Sequence, residues 1–331
     1  MKILGFAAPI AVLATLAGAS VSAFAQEFVI NDIADVVSHG ARITLVKDGF
    51  DGTEGPVPQE DGGLLFTENR AGRIVRIAPD GSSSVWMDKT GGANALALTP
   101  KGEVVATLTG PTPSIAMLTP GAEPKVLVKD YQGTPFNRPN DLVVGKGGSI
   151  YFTDPVSPAA PGAAPPAIPK KSAVYQLTPA GELLRIADDI ETPNGIALGK
   201  DERKLFVANT AGQWVVAFAL DKDGKVGRRS NFARLQLPQI PPATQGAAPA
   251  PPPGSGADGL AVDDRNRVYV ATTLGVQVFS QDGEPLGIIS FVKPPQNLAF
   301  SGRKNAQLYV LGRGSVYVID TTTRGPRRPG K

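Results

Sequence analysis

Residues 94–107 read NALALTPKGEVVAT, and residues 140–153 read NDLVVGKGGSIYFT. Each is a polar residue, a short apolar run, a Gly-containing turn and a strand-like run. The pattern returns as NGIALGKDERKLFVA at 194–208, DGLAVDDRNRVYVA at 258–271 and QNLAFSGRKNAQLYV at 296–310. A less regular copy, EGPVPQEDGGLLFT, occupies 54–67. After most copies comes a second alternating run, such as IVRIAPDG from Ile74 or VQVFSQDG from Val276, that runs toward a Gly or Asp turn as hairpin strands do. Units this short cannot bury an apolar face alone, so each must pack on the next.

The leading polar residues stand 40, 46, 54, 64 and 38 positions apart. A period near 40 with about four short strands per unit is the signature of propeller blades. The two long intervals carry Pro/Ala/Gly-rich insertions, at about 155–169 and 238–254, which read as irregular exposed loops. The repeat keeps its phase across the second insertion, so no domain boundary is placed there. The sequence therefore predicts one all-β domain over 26–331, a six-bladed β-propeller. ARITLVKDGF, from Ala41 to Phe50, precedes the first copy and reads as a strand. It is expected to complete the last blade, so that no sheet edge stays open.

Residues 1–25 have one cation, Lys2, an apolar stretch from Ile3 to about Ala17, and the small-residue ending Ala23-Phe24-Ala25. That is the pattern of a secretory signal cleaved after Ala25, and the mature chain is expected in the periplasm or outside the cell. The apolar stretch contains Gly5 and Pro9 and is short for a spanning helix, and no later stretch is apolar enough to span. No membrane association is expected after cleavage.

The 331 residues include 33 Lys plus Arg, 30 Asp plus Glu, no Cys and a single His, His39. Without a thiol there is no disulfide framework, no Cys nucleophile, no iron–sulfur cluster and no Cys-bound zinc. One imidazole cannot supply a His-rich transition-metal site. A Ser-His-Asp triad would have to use His39, which lies outside the repeat. The charge is small and scattered, so nucleic-acid binding is not expected. Any metal should be a hard cation held by oxygen. Nothing in the sequence specifies an oligomeric state.

Blades surround a central channel, so equivalent positions form a ring. The six leading residues are Glu54, Asn94, Asn140, Asn194, Asp258 and Gln296, and every one carries a side-chain oxygen. Each precedes the start of its strand-like run by 10, 10, 10, 11, 10 and 12 positions in turn, which places them at one level of the channel mouth. Oxygen donors converging there describe a calcium-type site, and two carboxylates would balance a divalent ion. Asn and Asp before Gly are also ordinary turn residues, and any one position alone reads that way. The register of all six is what supports a central-channel metal site. Asn94 and Gln296 are expected to act only through water or substrate.

At these residues the chain resembles the regucalcin/gluconolactonase family of six-bladed propellers. The motifs are EGPV at Glu54, RPNDLVV at Arg138, IYFTDP at Ile150, PNGIAL at Pro193 and GADGLAV at Gly256, over about residues 50–319. The resemblance implies a divalent cation, usually calcium and sometimes zinc, bound by Glu54, Asn194 and Asp258, with Asn140 as ligand or substrate contact. It also implies that Arg138 contacts substrate hydroxyls or carbonyl and that Asp258 is the general base. The implied activity is opening of a sugar-type lactone, a small-molecule substrate, by metal-activated water, with Arg138 and Asn94 orienting hydroxyls. Two other outcomes share the same scaffold, a phosphotriesterase-like hydrolase on the same ion and a non-catalytic periplasmic binding propeller. The chain departs from the family at Pro58, where Trp is common after EGPV, and at Phe66–Asn69, FTEN, where an FSD-like run is usual.

Overall fold

The computed structural model describes residues 32–156, 171–239 and 253–326, with the backbone of Phe28–Val29. The leader at 1–25 and most of both Pro/Ala-rich insertions lie outside the described residues. Six antiparallel blade sheets follow one another along the described residues, with a two-stranded ribbon, Asp130–Tyr131 and Thr134–Pro135, between the second and third. Five are four-stranded meanders, the fourth of them built from Pro193–Leu198, Lys204–Asn209, Trp214–Leu220 and Val226–Arg234. The last combines Asn297–Ser301, Gln307–Gly312 and Ser315–Asp320 with Arg42–Lys47 and Phe28–Val29 from the start of the chain. Ile43 faces Ile319 and Thr44 faces Val318 in that closure, as the strand-like reading of 41–50 anticipates. The architecture is an all-β, six-bladed propeller. Its only helical element among the described residues is a short 3-10 turn, Arg303–Asn305.

Packing follows from the strand period of two. In Lys204–Asn209, Leu205 and Val207 face the third blade while Phe206 and Ala208 face the fifth. Six apolar clusters result, one at each junction between neighbouring blades. The inner strands are therefore buried on both faces, and this is why the repeats read as unbroken apolar runs rather than as alternation. A fully buried Phe such as Phe206 contributes about 1.5–3 kcal/mol to this packing.

The innermost strand of every blade begins at the same end of the channel, and this places the ring. Three of these strands shift register at the leading position, between Glu54 and Val57, Ala93 and Leu96, and Pro193 and Ile196. Such irregularities bend the strand and redirect the side chains beside them.

Candidate metal centre

The six leading residues stand at equivalent places in the sheet. The N–H groups of Asn140, Asp258 and Gln296 donate to the carbonyls of Thr153, Ala271 and Leu311 on their neighbouring strands, while Glu54 pairs with Thr67. The blades are then tied to each other through these same positions. Thr67 Oγ1 donates to the carbonyl of Asn94 (2.6 Å), Thr107 Oγ1 to that of Asn140 (2.9 Å) and Thr153 Oγ1 to that of Asn194 (2.7 Å). In the fourth and fifth blades a backbone N–H replaces the hydroxyl: Gly195 N donates to Asp258 O (3.0 Å) and Gly259 N to Gln296 O (2.8 Å). Both positions require glycine. A Cβ on Gly195 would stand 2.8 Å from the Cα of Gly259, and one on Gly259 would stand 2.7 Å from the Cα of Asn297. The circle closes on a side chain, where Gln296 Nε2 and Asn297 Nδ2 donate to the two carboxylate oxygens of Glu54 at 3.2 and 3.1 Å. Glu54 is only 7% exposed, so these amides orient a buried carboxylate.

Asn94 and Asn194 differ sharply. The Asn94 amide is bonded within the protein at both ends, its Oδ1 accepting from Asn69 Nδ2 (3.0 Å) and its Nδ2 donating to Asn140 O (2.9 Å). Asn194 Nδ2 donates to Thr210 Oγ1 (3.1 Å), whose own proton goes to Ala257 O (2.6 Å). Because that hydroxyl proton is committed, Thr210 can only accept from Asn194, and the orientation of the amide follows. Its Oδ1 is left buried without any hydrogen-bond partner. A buried carbonyl oxygen without a donor costs about 1–3 kcal/mol unless something positive meets it. Asn194 is one of the six leading residues, whose side chains include two carboxylates and several amides, a composition that suits a hard cation. Among the described residues no group of three or more His, Cys, Asp or Glu could hold a metal. The candidate centre therefore rests on mixed carboxylate and amide oxygens.

Asn140 and Asp258 are half-buried, and Arg138 is exposed two residues before Asn140. His39 is exposed in the segment that precedes the first copy of the repeat. Sequence reading passed over Asn69, Asn297, Thr210 and Asp141. Asp141 is buried, and its Oδ2 accepts the N–H of Ile196 in the next blade (3.1 Å). One signal was visible, since the first three strand-like runs end in Thr (LLFT, VVAT, IYFT) where the later ones do not. Behind Glu54, Glu68 accepts the Asp51 N–H (2.7 Å) and pairs with Arg73 (2.5 Å), fixing the turn that leads into the ring. Burial by itself would raise the Glu68 pKa, but the Arg73 and Asp51 hydrogen bonds outweigh it and hold the carboxyl below its usual range.

The sequence profile of the SMP-30/Gluconolactonase/LRE-like region matches residues 52–312. The chain is 29% identical over 305 residues to a gluconolactonase of Zymomonas mobilis, covering 86% of this chain and 82% of that one. Among solved structures, a gluconolactonase from Xanthomonas campestris superposes with a TM-score of 0.71 at 27% identity, over 89% of this chain and 94% of that one. A calcium-binding protein, regucalcin, from Agrobacterium tumefaciens shares the fold at TM-score 0.68 and 15% identity, over 86% and 95% of the two chains.

Proposed function

The chain belongs to the SMP-30/gluconolactonase/LRE-like family, and from that premise we propose that it is a lactone hydrolase, a carboxylic-ester hydrolase acting on a sugar-type lactone with the help of a divalent cation. The observation that carries the metal is the buried, partnerless Oδ1 of Asn194. Glu54, Asn140, Asn194 and Asp258 would hold the ion, and their hard oxygens favour calcium, with zinc as the second candidate. When bound, such an ion polarises an ester carbonyl and lowers the pKa of a nearby water.

The remaining steps belong to the chain's own groups. The Asp258 carboxylate accepts a proton from the attacking water as the new carbon–oxygen bond forms. The acyl–oxygen bond then breaks, and the proton passes to the ring oxygen, which leaves as the hydroxyl of a hydroxy acid. Gln296 and Asn297 aim Glu54, because both of its oxygens accept their amide protons. Arg138 and Asn140 orient the substrate's hydroxyls. Asn94 serves through Asn140, whose carbonyl its amide holds. The signal-like leader supports a periplasmic or secreted enzyme.

The test is elemental analysis of the purified protein together with a pH-drop assay on aldonolactones and, in parallel, on organophosphates. Lactone turnover with about one divalent ion per chain is expected, and both should be lost in Asp258→Ala and in Glu54→Gln. Full turnover in either variant, or in metal-free protein, would overturn the mechanism. Organophosphate turnover without lactone turnover would overturn the substrate.

A further inference from the structure

The carboxylate of Asp154 ends the strand Ile150–Asp154 at the ring side of the third blade and is 1% exposed. Its two oxygens capture two successive backbone amides. Oδ2 accepts the N–H of Asn137 (2.9 Å) and Oδ1 that of Arg138 (2.7 Å). The next donor along, Asn140 N, goes to Thr153 O (2.8 Å). Pro139 has no N–H, so the dipeptide Thr153-Asp154 takes every backbone donor of residues 137–140. The Asn137 side chain adds a strap, donating to the carbonyls of Asp154 (3.2 Å) and Lys171 (2.8 Å). Arg138 is restricted further by the proline after it, which confines its backbone to extended conformations. Phe136, buried against Phe152 and Tyr175, anchors the segment from the other side.

A loop with ordinary turn chemistry would need one acceptor, and a solvated one would serve. Here a buried carboxylate is given to two consecutive peptide planes, directly before the exposed Arg138 and the ring residue Asn140. A displacement near 1 Å in a substrate-orienting group costs about 100-fold in rate, so a site that relies on a long, exposed guanidinium depends on its backbone being fixed.

We propose that Asp154 is the positioning residue of this site: it sets the direction from which Arg138 meets the substrate, without touching the substrate itself. This rests on the lactonase reading above, in which Arg138 contacts the substrate's hydroxyls. Asp154→Asn preserves the volume but can accept only one of the two amides, since its NH2 would face the other donor.

The experiment compares wild type, Asp154→Asn, Arg138→Ala and the double variant on glucono-δ-lactone and on unsubstituted δ-valerolactone. Calcium titration and thermal melts run alongside. For Asp154→Asn the expected result is a KM for the hydroxylated lactone raised about 10- to 100-fold. The kinetics on valerolactone and the calcium affinity should stay near those of wild type, while the melting temperature should fall by only a few degrees for the one backbone amide left without its acceptor. In the Arg138→Ala background the same substitution should add little, because its effect passes through the arginine. Equal losses on both lactones, an unchanged KM in a folded variant, or full additivity in the double variant would overturn the proposal. A wild-type protein inert on both lactones would instead overturn the lactonase reading, and the proposal with it.

Discussion

The second and fourth blades begin with the same residue in the same place, and the protein uses the two differently. Asn94 is a clamp, with its amide closed on Asn69 and on the carbonyl of Asn140. Asn194 is clamped only through its nitrogen, while its oxygen is buried and faces no donor. Residue type and sheet register are shared, so the difference comes from the neighbours. Asn69 supplies a donor in one blade, and Thr210 supplies an acceptor in the other. Equivalent positions thus serve differently, Asn94 holding the scaffold while Asn194 keeps one buried oxygen without a partner.

Asn194→Leu tests the open member and should have the largest effect. Calcium affinity should fall by about 100-fold or more and lactone turnover with it. The melting temperature of the metal-free protein should fall only slightly, because Oδ1 had no partner and the one bond lost is Nδ2 to Thr210, whose hydroxyl still donates to Ala257. Calorimetric titration and a melt on the chelated protein would check both halves, and a large loss of metal-free stability would break the contrast. Asn94→Leu tests the clamp, with the opposite expectation. It strands the Asn69 amide and should cost about 1–3 kcal/mol in denaturant unfolding while calcium still binds. Retained stability in that variant would erase the distinction between the two blades.

The smallest effect concerns the support behind Glu54. Glu68 has a lowered pKa in the folded protein, so its contribution to stability is present above its unfolded value and is lost as pH falls through the folded one. The stability gap between wild type and Glu68→Gln should be constant at neutral pH and should narrow below about pH 4.5. Arg73 is 40% exposed, so screening limits the gap to about 1–2 °C in melting temperature. A gap that widens in acid would contradict the ion pair as its source.

Much of the fold was legible because its signals are local. Inner strands buried on both faces produce continuous apolar runs, and turn glycines punctuate them at a recurring interval. The closing strand at 41–50 could be placed because an incomplete last blade has to find a fourth strand. The polar ring was legible for the same reason, since constant spacing from a strand start fixes a level in the channel. Its wiring was not. Asn297 reaches Glu54 across 243 positions of sequence, and Asp141 reaches Ile196 across 55. The change from Thr hydroxyls to glycine N–H groups between the third and fourth blades shows only weakly in a sequence, as FT or AT giving way to VA.

By itself, then, the sequence determined a cysteine-free propeller with six oxygen-bearing residues in register. Only the tertiary structure decided which oxygens are bonded within the protein and which are open. Periodicity is encoded within one repeat. Hydrogen-bond partners at the ring come from neighbouring blades, and a polar atom's chemistry depends on what meets it across that junction.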